Sequence, residues 1–256
     1  MNMNNPNDTT LEHTERRLGG VARLYGDVAY AIFQQAHVVV IGLGGVGSWA
    51  AEALARSAIG EITLIDYDHV SMSNTNRQLH ALDGEFGKSK IEVMAKRLSL
   101  INPELKINCI DDFLKPENFQ EYLPQGAAIL DAMDDVASKL ALASWVHQNK
   151  VPYVMSGGAG GKLDPSKIEV VDLARTTHDS MLAKIRSSLR QQYGFEKDPK
   201  RKMNLRVVYS SEPREGVAGG GLSCAGFGST VTVTATFGFI AAAEILQQLI
   251  DLHKTV

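Results

Sequence analysis

Cysteine is nearly absent. Cys109 and Cys224 are the only two in 256 residues, too few for a disulfide framework or a four-cysteine zinc site. That scarcity points to a reduced, cytoplasmic protein without zinc. An excess of one charge is also lacking: 26 Lys and Arg against 29 Asp and Glu leave −3, which alone argues for no particular partner. The first ten residues are polar, hold no apolar signal core and are expected to be disordered. A long apolar run occurs once, at 230–250. It contains Glu244, Gln247, Gln248 and four threonines, whereas a spanning helix needs about 20 mostly apolar residues. A buried helix, or one packed in a dimer interface, fits better, and no stable membrane insertion is expected. No linker demands a division of the chain, so one α/β domain over 1–256 is expected.

What is present begins with Val38–Val39–Val40–Ile41, an apolar run of the kind that forms a strand buried on both faces of a parallel sheet. Gly42–Leu43–Gly44–Gly45–Val46–Gly47 follows, and then a run of helix formers, Trp49–Arg56. Gly42, Gly44 and Gly47 fit the fingerprint that lets backbone approach a phosphate at a helix N-terminus. A second strand, Ile62–Ile65, ends in Asp66, where a carboxylate can hold ribose hydroxyls. This order signals a nucleotide site without saying which nucleotide.

The polar loop from Asp66 to Gln78 has no period and is too rich in hydrogen-bonding groups for a core. Beside a phosphate-binding turn it suggests triphosphate handling, with Arg77 neutralising phosphate oxygens and a carboxylate helping to hold Mg²⁺. A helix opens at Gly87–Lys88–Ser89–Lys90 and stops at Asn102–Pro103. A lysine at a helix start opposes the dipole, a cost that makes sense if an anion binds there. Lys106–Ile110 and Ala127–Leu130 read as strands, with a short helix Phe119–Leu123 between them. The second strand ends in Asp131–Ala132–Met133–Asp134–Asp135, acids on the ligand side of an open sheet or a helix cap. The helix Val136–Gln148, the strand Pro152–Met155, a second glycine loop at 157–161 and an antiparallel strand near Ile168–Leu173 follow. Upstream, Glu12–Phe33 should form two short helices broken by Gly19–Gly20 and Gly26.

Lys184 to Arg214 holds nine basic residues and three acidic ones, +6 against −9 for the rest of the chain. Such segregation suits contact with a polyanion, or a solvated helix face with a mobile loop. With the glycines that follow, 184–222 reads as a substrate-side insertion.

These residues together resemble the adenylating enzymes related to ubiquitin-activating E1, which include the molybdopterin-synthase and thiamine-biosynthesis adenylyltransferases. The matching pieces are Gly42, Gly44, Gly45 and Gly47, Asp66-x-Asp68, Asn74-x-Asn76-Arg77-Gln78, Gly87-x-x-Lys90 and Asp131-x-x-Asp134. The resemblance implies a Rossmann-like, doubly wound, mainly parallel sheet with an antiparallel extension, and ATP and Mg²⁺ as cofactors. It assigns Asp66 to ribose, Arg77 and Lys90 to phosphates, Asp134 to Mg²⁺, and an N-terminal arginine, usually supplied by the partner subunit of a homodimer and here Arg17, to completing the site.

Within that family the chain is most similar to the bacterial tRNA-modifying dehydratases. The stretches concerned are Arg23-Leu-Tyr-Gly26, Thr75-Asn-Arg-Gln78 with His80-Ala81, Gly157–Gly161 with Asp164-Pro165, and Thr234-Ala-Thr-Phe-Gly238. That likeness implies ATP-dependent cyclisation of threonylcarbamoyladenosine in tRNA, with release of AMP and pyrophosphate. Tyr209–Leu222 is shorter and richer in glycine than in that group, so no substrate contacts are carried over there. The alternatives are activation of a sulfur-carrier or ubiquitin-like protein, with a sulfur-relay partner and Cys224 as acyl acceptor, and an NAD-dependent oxidoreductase. The latter leaves Asn76, Arg77, Lys90 and Asp134 without a task.

Overall fold

The structure, a computed structural model, describes residues 6–213 and 228–254, with side chains from residue 15 onward. Two helices lead in, α1 (Pro6–Tyr25) and α2 (Asp27–Gln35), followed by β1 (His37–Ile41), α3 (Gly47–Arg56) and β2 (Glu61–Ile65). The polar loop contains one 3₁₀ turn, Met72–Asn74. Then come α4 (Lys90–Ile101), β3 (Lys106–Ile110), α5 (Phe119–Tyr122), β4 (Ala128–Asp131), α6 (Val136–Asn149) and β5 (Tyr153–Ser156). The chain finishes with β6 (Ile168–Asp172), α7 (Ser180–Gln192), β7 (Arg206–Ser210) and α8 (Val231–Lys254).

The seven strands form one sheet in the order β3-β2-β1-β4-β5-β7-β6. Every pair is parallel except β6 with β7. The order reverses between β1 and β4, the place where open α/β sheets bind ligands beyond the carboxyl ends of their strands. Alternate strand residues feed two cores. Val38, Val40, Ile62 and Leu64 pack with α2, α3, α4 and α8. Val39, Ile41, Ile65 and Ile129 pack with α5, α6 and α7. The expected fold class is thus the observed one, antiparallel extension included.

Helix α8 is long and apolar enough to cross a membrane by composition alone. In the fold it is a core helix. Val233, Phe237, Ala241, Ile245 and Leu249 repeat at helical spacing and are buried. Gly238 lets it close on α3: a Cβ there would lie 2.5 Å from the Val46 carbonyl oxygen and 3.0 Å from the Ala50 nitrogen.

Three expectations need correction. Residues 6–10, expected to be disordered, belong to α1. Gly19 and Gly20 do not break that helix; the break comes at Gly26, whose φ of 86° suits only glycine. Two helical glycines cost only about 1 kcal/mol each, and the helix is held by buried Leu18. Finally, 184–222 is not an insertion in its described part. Leu182, Ile185 and Leu189 of α7 are buried, and β7 sits inside the sheet between β5 and β6. Arg186 donates to the Leu173 and Thr176 carbonyls, and Arg190 to that of Glu196. Charge counting cannot see that these cations hold backbone. Lys200, Arg201 and Lys202 precede β7, which runs parallel to β5. They therefore lie at the amino end of the sheet, away from the glycine loop.

Gly238→Ala should destabilise the protein by about 1–3 kcal/mol, because the backbone of α3 facing the new methyl cannot yield. Urea denaturation checks this: an unchanged midpoint would mean that α3 and α8 can separate freely.

Candidate nucleotide-binding site

The site starts from a backbone constraint. The turn after β1 places Gly42 at φ 84°, against the carbonyl of Ala132. A Cβ on Gly47 would land on the Gly42 carbonyl oxygen. Both glycines are thus demanded by the fold. Gly44 is different: a Cβ there would meet no atom within 4 Å, leaving the N-terminal side of α3 open for a ligand to approach. At Gly45 a Cβ would lie 3.2 Å from Arg77 Cγ and from Thr234 on α8.

Asp66 is buried at the end of β2. Its carboxylate accepts from the amides of Leu43 at 2.5 Å and Asp68 at 2.8 Å. Burial raises its pKa, with the Lys90 charge pulling the other way. Lys90, itself buried, pairs with the half-exposed Asp68 carboxylate at 2.7 Å. That carboxylate occupies the place by the α4 start where an anion was expected.

The polar loop is ordered by its own side chains. Asn74 is buried, and its Oδ1 accepts from the Ser71 amide at 3.0 Å. Asn76 donates to the Ser229 carbonyl at 2.8 Å. Arg77 Nη1 donates to the Ser73 carbonyl and to Asn76 Oδ1. Its backbone carbonyl accepts from Trp49 Nε1 on α3 at 3.0 Å. Gln78 is buried with Oε1 lacking a partner.

The three acids at the end of β4 and just beyond it have separated roles. Asp135 caps α6 by accepting from the Ser138 amide at 2.7 Å. Asp131 turns inward and is fully buried. Asp134 is exposed, and no hydrogen bond or ion pair engages its carboxylate among the described residues. It lies near enough to Tyr67, beside Asp66, to raise that phenol's pKa after burial and Asp68.

The structure therefore gathers Gly42–Gly47, Asp66, Asp68, Arg77, Lys90 and Asp134 around the β1/β4 reversal. Within the single chain Arg17 is elsewhere, as an arginine acting across a dimer would be. Arg17 donates to the Leu100 and Ile101 carbonyls at the far end of α4, a helix roughly 18 Å long at 1.5 Å per residue. Helix-end carbonyls attract a nearby guanidinium, which the spacing of arginines in sequence does not reveal. Cys224 lies outside the described residues. The sequence marks Thr234 only as part of a family stretch and does not show its place beside Gly45 or the charged network behind Asp131. A threonine at the start of an apolar helix, and a lysine inside the otherwise core-facing α6, are the signals that mark them.

His80 is 1% exposed, and neither ring nitrogen has a partner. Burial, and then the Lys90 charge, push its pKa down to about 4. The unfolded chain takes up that proton first as pH falls, so the stability is complete above pH ~6.5 and is lost on the way down to about 4. The loss should reach roughly 3 kcal/mol. Denaturation midpoints measured across this range should fall, and His80→Leu should flatten the fall; equal slopes in both proteins would contradict this.

The comparisons with known proteins agree with this geometry. A tRNA threonylcarbamoyladenosine dehydratase of Haemophilus influenzae is 46% identical over 249 residues, covering 94% of this chain and 95% of its own. The protein of that name from Escherichia coli is 45% identical over 250 residues, covering 91% and 93%. A crystal structure of the E. coli tRNA N6-threonylcarbamoyladenosine dehydratase in complex with ATP superposes with a TM-score of 0.88 at 45% identity, covering 94% of this chain and 96% of that one. The ThiF family model matches residues 16–255. With that match running through the glycine loop, the polar loop and α8, the chain belongs to the ThiF family.

Proposed function

We propose that this chain is an ATP-dependent dehydratase that cyclises threonylcarbamoyladenosine in tRNA, the adenosine beside the anticodon. The observation that carries the reading is the gathering of an open glycine loop, Asp66, Arg77, Lys90 and an unengaged Asp134 at one crevice, in a chain that matches relatives of that name along nearly their whole length. We read the chain as one catalytic unit, because both cores share the same sheet.

The chemistry follows from charge placement. ATP lies with its phosphates over the N-terminus of α3 and its ribose on Asp66. Arg77 exchanges its loop carbonyl for phosphate oxygens, and Lys90 leaves Asp68 for the same anion. Asp134 fits a magnesium ion: it is a hard, exposed oxygen donor, and Mg²⁺ commonly takes one or two carboxylates plus substrate phosphates. Bound there, the ion would offset phosphate charge. The threonyl carboxylate oxygen attacks the α-phosphorus, the bond to the β-phosphate oxygen breaks, and pyrophosphate leaves. The tethered nucleophile of the carbamoyl group then attacks the activated carbonyl carbon. AMP departs with the former carboxylate oxygen, a proton is lost, and the ring closes, so one water is removed in total. Intramolecular attack of this kind reaches effective molarities of about 10⁵–10⁸ M, so a covalent intermediate on Cys224 is not needed.

A tRNA substrate supports placing the enzyme in the cytoplasm. Exposed Leu24, Tyr25 and Val28, close together along the α1–α2 corner, support a homodimer, since large apolar side chains grouped at the surface favour a partner. Exposed Lys184, Lys197, Lys200 and Lys202 suit RNA phosphates. Carrier-protein activation is the second reading. Molybdopterin-synthase adenylyltransferases match it, one from H. influenzae being 35% identical, but over only 122 residues.

Asp134→Asn should fold normally and release pyrophosphate about 10²–10³-fold more slowly in the presence of threonylcarbamoylated tRNA, ATP and saturating Mg²⁺. Near-normal release would remove Asp134 from the site. Release that depends on a carrier protein and not on tRNA would favour the second reading.

A further inference from the structure

Behind the β1/β4 reversal lies a charged network that the chemistry above does not use. Asp131 and Lys139 are both 0% exposed, and Lys139 Nζ donates to Asp131 Oδ1 at 2.8 Å and to the Asp131 carbonyl at 3.3 Å. The same Oδ1 accepts from the Met133 amide at 3.1 Å. Oδ2 accepts from the buried Tyr153 hydroxyl at 2.7 Å. Burial, and then the Asp131 charge, hold that phenol in its protonated, donating form.

Stability does not explain this arrangement. Removing two charges from water costs about as much as their attraction returns, and apolar side chains of similar volume are often as stabilising or more so. What the network does hold is the turn 131–134. Ala132 N donates to the Ile41 carbonyl at 2.8 Å. The Ala132 carbonyl sits 2.8 Å, and Met133 N 3.1 Å, from where a Gly42 Cβ would be; Ala132 Cβ sits 3.2 Å from the corresponding point at Gly47. The turn is thus the floor beneath the glycine loop. On its other side Asp135 is fixed as the α6 cap. Asp134 lies between these two anchored residues.

We propose that Lys139 is a positioning residue: through Asp131 it holds the turn 131–134 against the glycine loop and so sets where Asp134 is presented. The inference rests on the adenylation reading for its catalytic consequence. Lys139 touches no reacting atom. It acts by holding the Asp131 carboxylate in one orientation, so that one oxygen takes both the ammonium and the Met133 amide.

The test uses Lys139→Met, which keeps volume and removes charge and donors. Hydrogen exchange at the 132–134 amides should speed up while the other strands of the sheet stay protected. The kcat for tRNA-dependent pyrophosphate release should fall about 10²-fold, the cost of a misplacement of roughly 1 Å, with KM for ATP little changed. Should this variant fail to fold, Tyr153→Phe, which removes one hydrogen bond from the same carboxylate, carries the same two measurements. A folded variant with unchanged exchange at 132–134, or with unchanged kcat, overturns the inference. Wild-type enzyme that released no pyrophosphate would instead count against the adenylation reading, and the exchange measurement would still decide the role of Lys139.

Discussion

The structure depends on one close approach, that of the Gly42 carbonyl to the Cα of Gly47. No side chain fits between them. Their contact sets the angle at which β1 turns into α3 and brings the Ala132 peptide up against Gly42. With the loop pinned in this way, the N-terminus of α3 faces the crevice where the strand order reverses. The opening at Gly44 follows, since nothing in the protein fills it. Gly238 repeats the device on the outer side, letting α8 press on the same helix. Rigid backbone of this kind is what allows a site to hold charge in place without reorganising during reaction.

Around that loop the protein keeps its charges in two groups. Lys90 and Asp68 pair at the surface of the crevice, where an incoming phosphate can compete for the lysine. Asp131, Lys139 and Tyr153 are sealed beneath it, out of reach of any ligand. The difference lies in exposure: Asp68 is half-exposed, whereas the members of the second group are all buried. An exchangeable pair serves binding, and a sealed one serves geometry. His80 adds a buried neutral ring beside Lys90 with both nitrogens unpaired, a cost of the kind found where function outranks stability.

Much of this was legible in the sequence. The apolar runs of β1, β2 and β4 are short, bounded by turn residues and unambiguous, and the glycine spacing and the acid ending β2 locate the crevice. Periods failed where a segment was averaged. Arg206–Val207–Val208–Tyr209–Ser210 is an ordinary buried strand, yet the charge of the thirty residues around it made the whole stretch read as an insertion. Asp131 and Asp134 look equivalent on paper; the strand carries the first to the interior and releases the second. Within its own chain Arg17 is held by a helix end, whereas the role expected of it lies across a dimer. Such assignments turn on which face a residue occupies, and a sequence read without alternation to guide it does not contain that.

The proposed reaction removes one water from threonylcarbamoyladenosine in tRNA at the expense of ATP. The most direct measurement is the mass of that nucleoside, digested from threonylcarbamoylated tRNA after incubation with the pure protein and Mg-ATP. The product should be lighter by one water, with AMP formed in equal amount and no product when ATP is withheld. An unchanged nucleoside mass, under conditions in which the protein binds ATP and the tRNA, would contradict it.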